Sequence, residues 1–322
     1  MVKLIRAALV SSCAACFFAS ASVAEVMSVQ GPSGPLRGEA LLPDNPRAAV
    51  VIIPGSGPTD RDGNSPQGMR TDSYRQLAEA LGAQGISSVR IDKRGMFDSA
   101  AALSDAEAAT IAGYAEDAGK WAGALAERSG QSCSWLAGHS EGGLVALATV
   151  AGDAARAAAP VCGLILLATP GRPIGVLMRE QLRANPANAP FEAELESAIG
   201  VLEQGAMIDP ETLSPPLRPL FRAGLQSYMI QLFAYDPAKL ARSVQLPVLI
   251  VQGGRDLQVG AVDADALAQA MPQAGRLDLP QMTHMLKTDQ PDRPFATYTD
   301  PSLPLVPEVA VAISDFVAGP RD

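Results

Sequence analysis

The sequence predicts an α/β protein: a mostly parallel, eight-stranded sheet with helices on both faces and one helical insertion. Three observations predict it. Short apolar runs alternate with longer stretches whose apolar residues recur at three- and four-residue spacing. The apolar runs are continuous rather than alternating, as in strands covered on both faces. One long segment, residues 171–243, carries helix-like pieces punctuated by Pro and no convincing strand. At 322 residues, 48% hydrophobic and 18% charged, the chain is long enough for one large core. Aromatics are few, at 5%, which suits small-residue helices packed on a sheet. The formal net charge of −9 leaves no electrostatic footprint for nucleic acid.

The N-terminus stands apart. "MVKLIRAALVSSCAACFFASASVAEV" has two cations, Lys3 and Arg6, then an apolar stretch, then small residues before Glu25. This is the pattern of a secretory signal peptide, residues 1–24, with cleavage after Ala24. The apolar stretch is short for a membrane span and contains Ser and Cys, so stable membrane insertion after its removal is not expected. A second reading takes "VSSC" as a lipid-attachment site at Cys13. Cys133 and Cys162 remain in the mature chain, and an even pair in an oxidising compartment suggests a disulfide. Both open strand-like runs. If those strands are parallel neighbours, their N-terminal ends lie side by side; two buried thiols acting as apolar fillers are the alternative.

The mature chain opens on "SVQGPSGPLRGEALLP", which reads as an antiparallel hairpin. Candidate strands follow at 48–53, 86–92, 134–139, 163–168, 247–253 and 274–280. Helical stretches at 73–84, 111–128, 141–152 and 262–273 lie between them, and a last amphipathic one lies within 304–319. Strand, helix, strand in repetition implies parallel pairing with helices on both faces. The expected organisation is a core of residues 25–170 and 244–322, with residues 171–243 as a helical lid, because a long insertion between two such strands usually covers a site.

Chemistry enters at "LAGHSEGGLVALA", which contains G-x-S-x-G centred on Ser140. Five residues are a weak pattern alone, but a strand-like run precedes them and a helix-like run follows. Ser140 therefore sits on a tight strand-to-helix turn, exposed, with the positive end of a helix beside it. Together with "IPGSGPTDRDGN" (53–64), "RIDKRGMFDS" (90–99), "GGRDLQV" (253–259) and "THMLK" (283–287), this turn resembles the α/β-hydrolase superfamily. More narrowly, the chain resembles bacterial esterases related to the serine aminopeptidase-like hydrolases, over about residues 26–318.

A serine hydroxyl needs a base to take its proton. The chain has two histidines. His139 neighbours Ser140 on the same turn and should point elsewhere, which leaves His284 as the base. The order implied by the resemblance, Ser then acid then His, assigns Asp256 as the acid. Asp263 and Asp265 are rivals, but they fall in the following helix, where a solvated role is expected. The resemblance also implies two oxyanion donors: the backbone N–H of Glu141 and that of Ser56 in the loop after the third strand. Pro54-Gly55-Ser56 stands where many relatives carry His-Gly-x, which leaves the register open by one residue. The same loop lacks G-x-x-x-x-G-K-[ST] and G-x-G-x-x-G, so it is not a phosphate cradle. "DRDGN" lacks the later residues of a calcium loop.

Asp92, Lys93 and Arg94 read as a buried ion pair shaping the oxyanion loop. The Glu141 side chain reads as stabilising the helix start. Met178, Met207, Tyr228, Met229 and Phe233 either line an acyl pocket or pack the lid. The function expected is a secreted or periplasmic serine carboxylesterase, free of cofactor and metal, acting on a small-molecule ester through an acyl-enzyme. Peptidase, thioesterase and lactonase chemistry use the same triad and stay open, as does a non-catalytic binding protein on this scaffold. Oligomeric state is not legible.

Overall fold

The computed structural model describes residues 23–105, 108–151 and 160–319. Eight strands form one sheet: β1 (Val23–Gln30), β2 (Pro35–Leu42), β3 (Ala48–Ile53), β4 (Ile86–Ile91), β5 (Ser134–His139), β6 (Val161–Leu167), β7 (Val248–Gly253) and β8 (Gly275–Leu279). Their order across the sheet is β1-β2-β4-β3-β5-β6-β7-β8. β2 is antiparallel to β1 and to β4, and every pairing from β4 to β8 is parallel. The expected signal segment falls mostly outside the described residues. Its last two residues, Val23 and Ala24, belong to β1, opposite Leu42 and Leu41.

β3, β4, β5 and β7 are buried along their whole lengths. Side chains alternate across a strand, so β3 serves two cores. Ala49, Val51 and Ile53 meet α2 (Ile111–Ser129), α3 (Glu141–Val150) and α8 (Ala261–Ala270) on one face. Ala48, Val50 and Ile52 meet α1 (Ser73–Ala83) and α10 (Pro307–Ala318) on the other. α2 is bounded by its own chemistry. The Thr110 hydroxyl accepts the Gly113 N–H at 2.8 Å, and Gly130 ends the helix at φ 69°.

Between β6 and β7 the chain makes α4 (Ile174–Ala184), α5 (Glu192–Glu203), α6 (Ala223–Phe233) and α7 (Pro237–Ala241), with 3-10 turns between them and no strand. This segment has a small core of its own, in which Leu195, Ile199 and Leu202 pack with Phe221 and Met229. It is anchored at its start by Asp263 of α8, which is buried. Asp263 Oδ1 accepts the Gly171 and Arg172 amides, each at 3.1 Å, and Oδ2 pairs with the Arg172 guanidinium at 2.9 Å. Asp263 thus differs from the solvated role expected of it, because α8 turns that face onto the loop after β6. α9 (Ala296–Thr299) is one turn near the end of the chain. Among the described residues no helix is long and apolar enough to cross a membrane.

Cys133 and Cys162 form a disulfide with Cα atoms 5.4 Å apart. β5 and β6 are parallel neighbours, so their N-terminal ends lie side by side.

Candidate active site

The parallel strands share a direction, so the loops leaving β3, β4, β5, β7 and β8 gather at one edge of the sheet. One of these turns is at Ser140, which has φ 54° and ψ −121° between β5 and α3. That backbone is strained for a residue with a Cβ and is kept because its surroundings hold it. Gly142 is needed beneath it: a Cβ there would collide with the Ile53 carbonyl, so α3 could not seat against the end of β3.

Asp256 leaves β7 in a short loop. Its Oδ1 accepts the amides of Gln258 and Val259 at 2.8 and 2.9 Å, which fixes the carboxylate plane. Oδ2 accepts the His284 Nδ1 proton at 2.8 Å, with both side chains essentially closed to solvent. Because an ionised carboxylate only accepts, Nδ1 carries the proton and Nε2 is left as the basic nitrogen. His284 sits in a tight turn after β8, where the amide and hydroxyl of Thr283 both donate to the Lys287 carbonyl, at 2.9 and 3.0 Å. Asp265 does not reach this pair; it meets Arg276 at the surface.

Ser140 and His284 line one cleft of about 450 Å³ with Gly55, Ser56, Thr59, Met69, Gln258 and Met285. Its wall carries no Lys, Arg, Asp or Glu. Gly55 approaches closely: a Cβ there would stand 3.3 Å from the Cβ of Ser140. The Glu141 N–H opens α3 and has no partner within the helix. A slightly larger hollow of about 490 Å³ lies between α4 and α5. Its Arg179 and Arg183 are neutralised by Glu192, Glu196 and Glu203, and it holds no nucleophile.

His139 does not point away from the site. It is buried, and its ring lies 4.7 Å from that of His284. Its Nε2 donates to the His284 carbonyl at 2.8 Å, so its Nδ1 accepts from the Tyr74 hydroxyl at 2.7 Å. Tyr74 Oη in turn accepts the Gly55 N–H at 3.1 Å. The chain of bonds runs from the loop after β3 to the loop after β8, and it requires a neutral imidazole. Burial, then the neighbouring His284, push the His139 pKa down to about 3. Both ring nitrogens are engaged, which rules His139 out as the base. Tyr74 was not legible beforehand: one aromatic in the first turn of α1, in line with Leu77 and Leu81, reads as core.

Asp92, Lys93 and Arg94 follow β4 and are all buried. Asp92 Oδ1 accepts the Arg61 N–H at 2.9 Å, and Lys93 reaches the Gly55 carbonyl, so both hold the loop after β3. Arg94 instead binds Asp117 of α2 through two bonds of 2.6 and 2.7 Å, so its work is to hold a helix, not the loop. The Glu141 side chain meets Lys93 at 3.1 Å in addition to sitting in the first turn of α3. Met178, Met229 and Phe233 pack in the core of the 171–243 segment, Tyr228 packs edge-on against Tyr114, and Met207 is largely exposed. None of these five lines the cleft at Ser140. Its apolar wall comes from Met69 and Met285 instead.

Residues 50–297 match the alpha/beta hydrolase family. Among curated proteins, Esterase EstD of Thermotoga maritima is 28% identical over 238 residues, which is 71% of this chain; the chain spans about half of that relative's length, 52%. Among solved structures, an esterase from Pyrococcus furiosus superposes with a TM-score of 0.54 at 14% identity, covering 82% of this chain and 84% of that one. Est1E from Butyrivibrio proteoclasticus, with ferulic acid bound, gives 0.56 at 17% identity over 90% and 97%. A thermophilic esterase from Thermogutta terrifontis gives 0.54 at 18% identity over the same shares. At such identities the structural likeness is one of fold.

Proposed function

The chain belongs to the alpha/beta hydrolase family, and from that premise we propose that it is an exported serine carboxylesterase with the triad Ser140, His284 and Asp256. The observation that carries this reading is the 2.8 Å bond from His284 Nδ1 to a carboxylate held by two amides, in a histidine that shares a cleft with the strained Ser140. His284 Nε2 takes the Ser140 proton as Oγ attacks an ester carbonyl. The tetrahedral oxyanion is met by the Ser56 and Glu141 amides, and the imidazolium, stabilised by Asp256, returns the proton to the departing alkoxide. Water then repeats the sequence on the acyl-enzyme and releases the acid. The wall without formal charge and with two methionines suits a neutral acyl group of modest length. The esterase relatives support the ester as substrate.

The signal-like residues 1–24 and the Cys133–Cys162 bridge support export to an oxidising compartment. Cleavage after Ala24 leaves β1 six of its eight pairings with β2, from Glu25 opposite Ala40 to Gln30 opposite Pro35. The intact mass of protein recovered from the periplasm tests this: a mature N-terminus at Glu25 is expected, and an unprocessed chain or a lipidated Cys13 overturns it.

Activity is tested with p-nitrophenyl acetate, butyrate and octanoate, a matched thioester and a peptide anilide, using the mature protein and Ser140→Ala. Turnover of the short esters, lost in the variant, with a fluorophosphonate adduct on Ser140 by mass spectrometry, is the expected result. Equal inertness of both proteins across the series overturns the esterase reading.

A further inference from the structure

Within the reading given above, we propose that Lys93 is a positioning residue of the oxyanion hole, whose buried ammonium aims and strengthens the Ser56 amide. Lys93 Nζ donates to the Gly55 carbonyl at 2.6 Å and to Glu141 Oε1 at 3.1 Å, with both side chains almost wholly buried. The carbonyl of Gly55 and the N–H of Ser56 belong to one peptide group. In a trans peptide these two point in opposite directions, and no described peptide bond is cis. An ammonium that holds the oxygen on one side therefore turns the Ser56 N–H to the other side, and Ser56 lines the cleft with Ser140.

The preceding peptide is fixed as well, because the Gly55 N–H is taken by Tyr74 Oη. A glycine whose two flanking peptides are both tied cannot rock, although glycine is the residue best able to do so. The same ammonium holds the side chain of Glu141, whose backbone N–H is the other donor. One cation thus couples the loop after β3 to the first residue of α3, and the two donors of the oxyanion hole share it.

Charge adds to geometry. A cation on a carbonyl oxygen polarises the whole peptide and makes its N–H a stronger donor, an effect enlarged where water is excluded. Lys93 also lies 5.2 Å from the centroid of the Tyr114 ring. Burying an ammonium is costly, and an apolar side chain of the same length would fill this space without that cost. A purely structural ion pair would stabilise the fold and leave turnover by the folded enzyme untouched.

The test uses the mature protein with three changes: Lys93→Met/Glu141→Gln, which leaves no orphaned buried charge; Lys93→Gln/Glu141→Gln, which restores a neutral donor to the Gly55 carbonyl; and Glu141→Gln, which keeps the ammonium. Kinetics on p-nitrophenyl butyrate are paired with inhibition by a trifluoromethyl ketone, which forms an oxyanion on Ser140, and by the matching alcohol, which does not. The Met/Gln pair should lose ~30–100-fold in kcat with KM nearly unchanged, somewhat less than the ~10²–10³-fold of losing one oxyanion donor outright. Ketone affinity should fall by the same factor and alcohol affinity stay put. The Gln/Gln pair should recover part of the loss, and Glu141→Gln, which keeps the ammonium on the Gly55 carbonyl, should lose several-fold less than the Met/Gln pair.

A folded Met/Gln pair with wild-type kcat and ketone affinity overturns the proposal, while inactivity of the wild type itself would instead overturn the esterase reading. Should the double variants fail to fold, a crystal structure of the wild-type ketone adduct decides. The oxyanion within hydrogen-bond distance of Ser56 N, with Lys93 still on Gly55 O, supports the proposal; a Ser56 amide turned away overturns it.

Discussion

Acid should cost this protein stability through His139, by an amount the structure sets. In an unfolded chain the imidazole titrates at its ordinary 6.5; in the fold, burial and then His284 hold it at about 3. The folded value of a basic group is depressed, so the unfolded chain takes up the proton first. From pH 6.5 down to about 3 the unfolded state carries one more proton, and stability is lost as pH falls through that window. Each unit is worth about 1.36 kcal/mol, so the loss is about 1.4 kcal/mol at pH 5.5 and about 2.7 kcal/mol at pH 4.5, and nearly nothing above pH 7. At pH 4.5 the figure barely depends on the folded value, provided that value stays below 4. Urea unfolding at pH 7.5, 5.5 and 4.5, for wild type and His139→Gln, isolates this contribution from the other titrating groups. The variant should be the less stable at pH 7.5, by ~1–3 kcal/mol for the lost bonds to Tyr74 and the His284 carbonyl. That gap should then close by about 1.4 and about 2.7 kcal/mol at the two lower values. A gap constant with pH refutes a buried neutral imidazole at this position.

Asp256→Asn should lower kcat/KM on p-nitrophenyl butyrate by ~10⁴-fold, because the amide no longer enforces the Nδ1–H tautomer of His284; a loss below tenfold would contradict the assigned acid. The Cys133–Cys162 bridge spans 29 residues, for which the loop-entropy relation gives about 3–4 kcal/mol. Guanidinium unfolding of Cys133→Ser/Cys162→Ser measures it, and a change under about 1 kcal/mol counts against that relation here. Asp263→Ala leaves the Gly171 and Arg172 amides at the root of α4 without their acceptor, while Arg172 keeps Glu180, and should cost ~2 kcal/mol. Hydrogen exchange should quicken at residues 171–184 but not in β5 or β7, and uniform quickening would show that Asp263 does not act locally.

The strands were legible because β3, β5 and β7 are buried on both faces, so each carries an apolar run too short for a helix. The pairing of His284 with Asp256 was legible because both sit just past strand ends and only one histidine was left to pair. Partners were not legible. "DKR" announces buried charge, but that Asp92 and Lys93 serve the loop after β3 while Arg94 holds α2 depends on where each side chain leaves the end of β4. His139 was misjudged for a related reason. Adjacent residues do diverge from a turn, but this ring diverges toward His284, because the loop after β8 closes over the end of β5. For the residues of the 171–243 segment the sequence left two uses open, and packing took three of them. Met178, Met229 and Phe233 are apolar enough for a pocket, yet a segment of four helices must first fill its own interior, and they are consumed there.

What distinguishes this site is how its loops are tied to one another. Parallel strands bring their trailing loops to one edge, but adjacency alone does not give the sub-ångström placement that transition-state binding requires. Two lines of hydrogen bonds supply it, and both end on Gly55. One passes through Tyr74 and His139 to the backbone of His284; the other passes through Lys93 to the side chain of Glu141. The proposed base, the proposed oxyanion donors and the turn that carries Ser140 are therefore referenced to a single residue with no side chain of its own. A change at Lys93 reaches the cleft through that residue without Lys93 lining it, whereas Tyr74 and His139 also form part of the wall. Lys93, so placed, should act on kcat far more than on KM, which separates it from the cleft wall of Met69, Thr59 and Met285, where the opposite balance is expected.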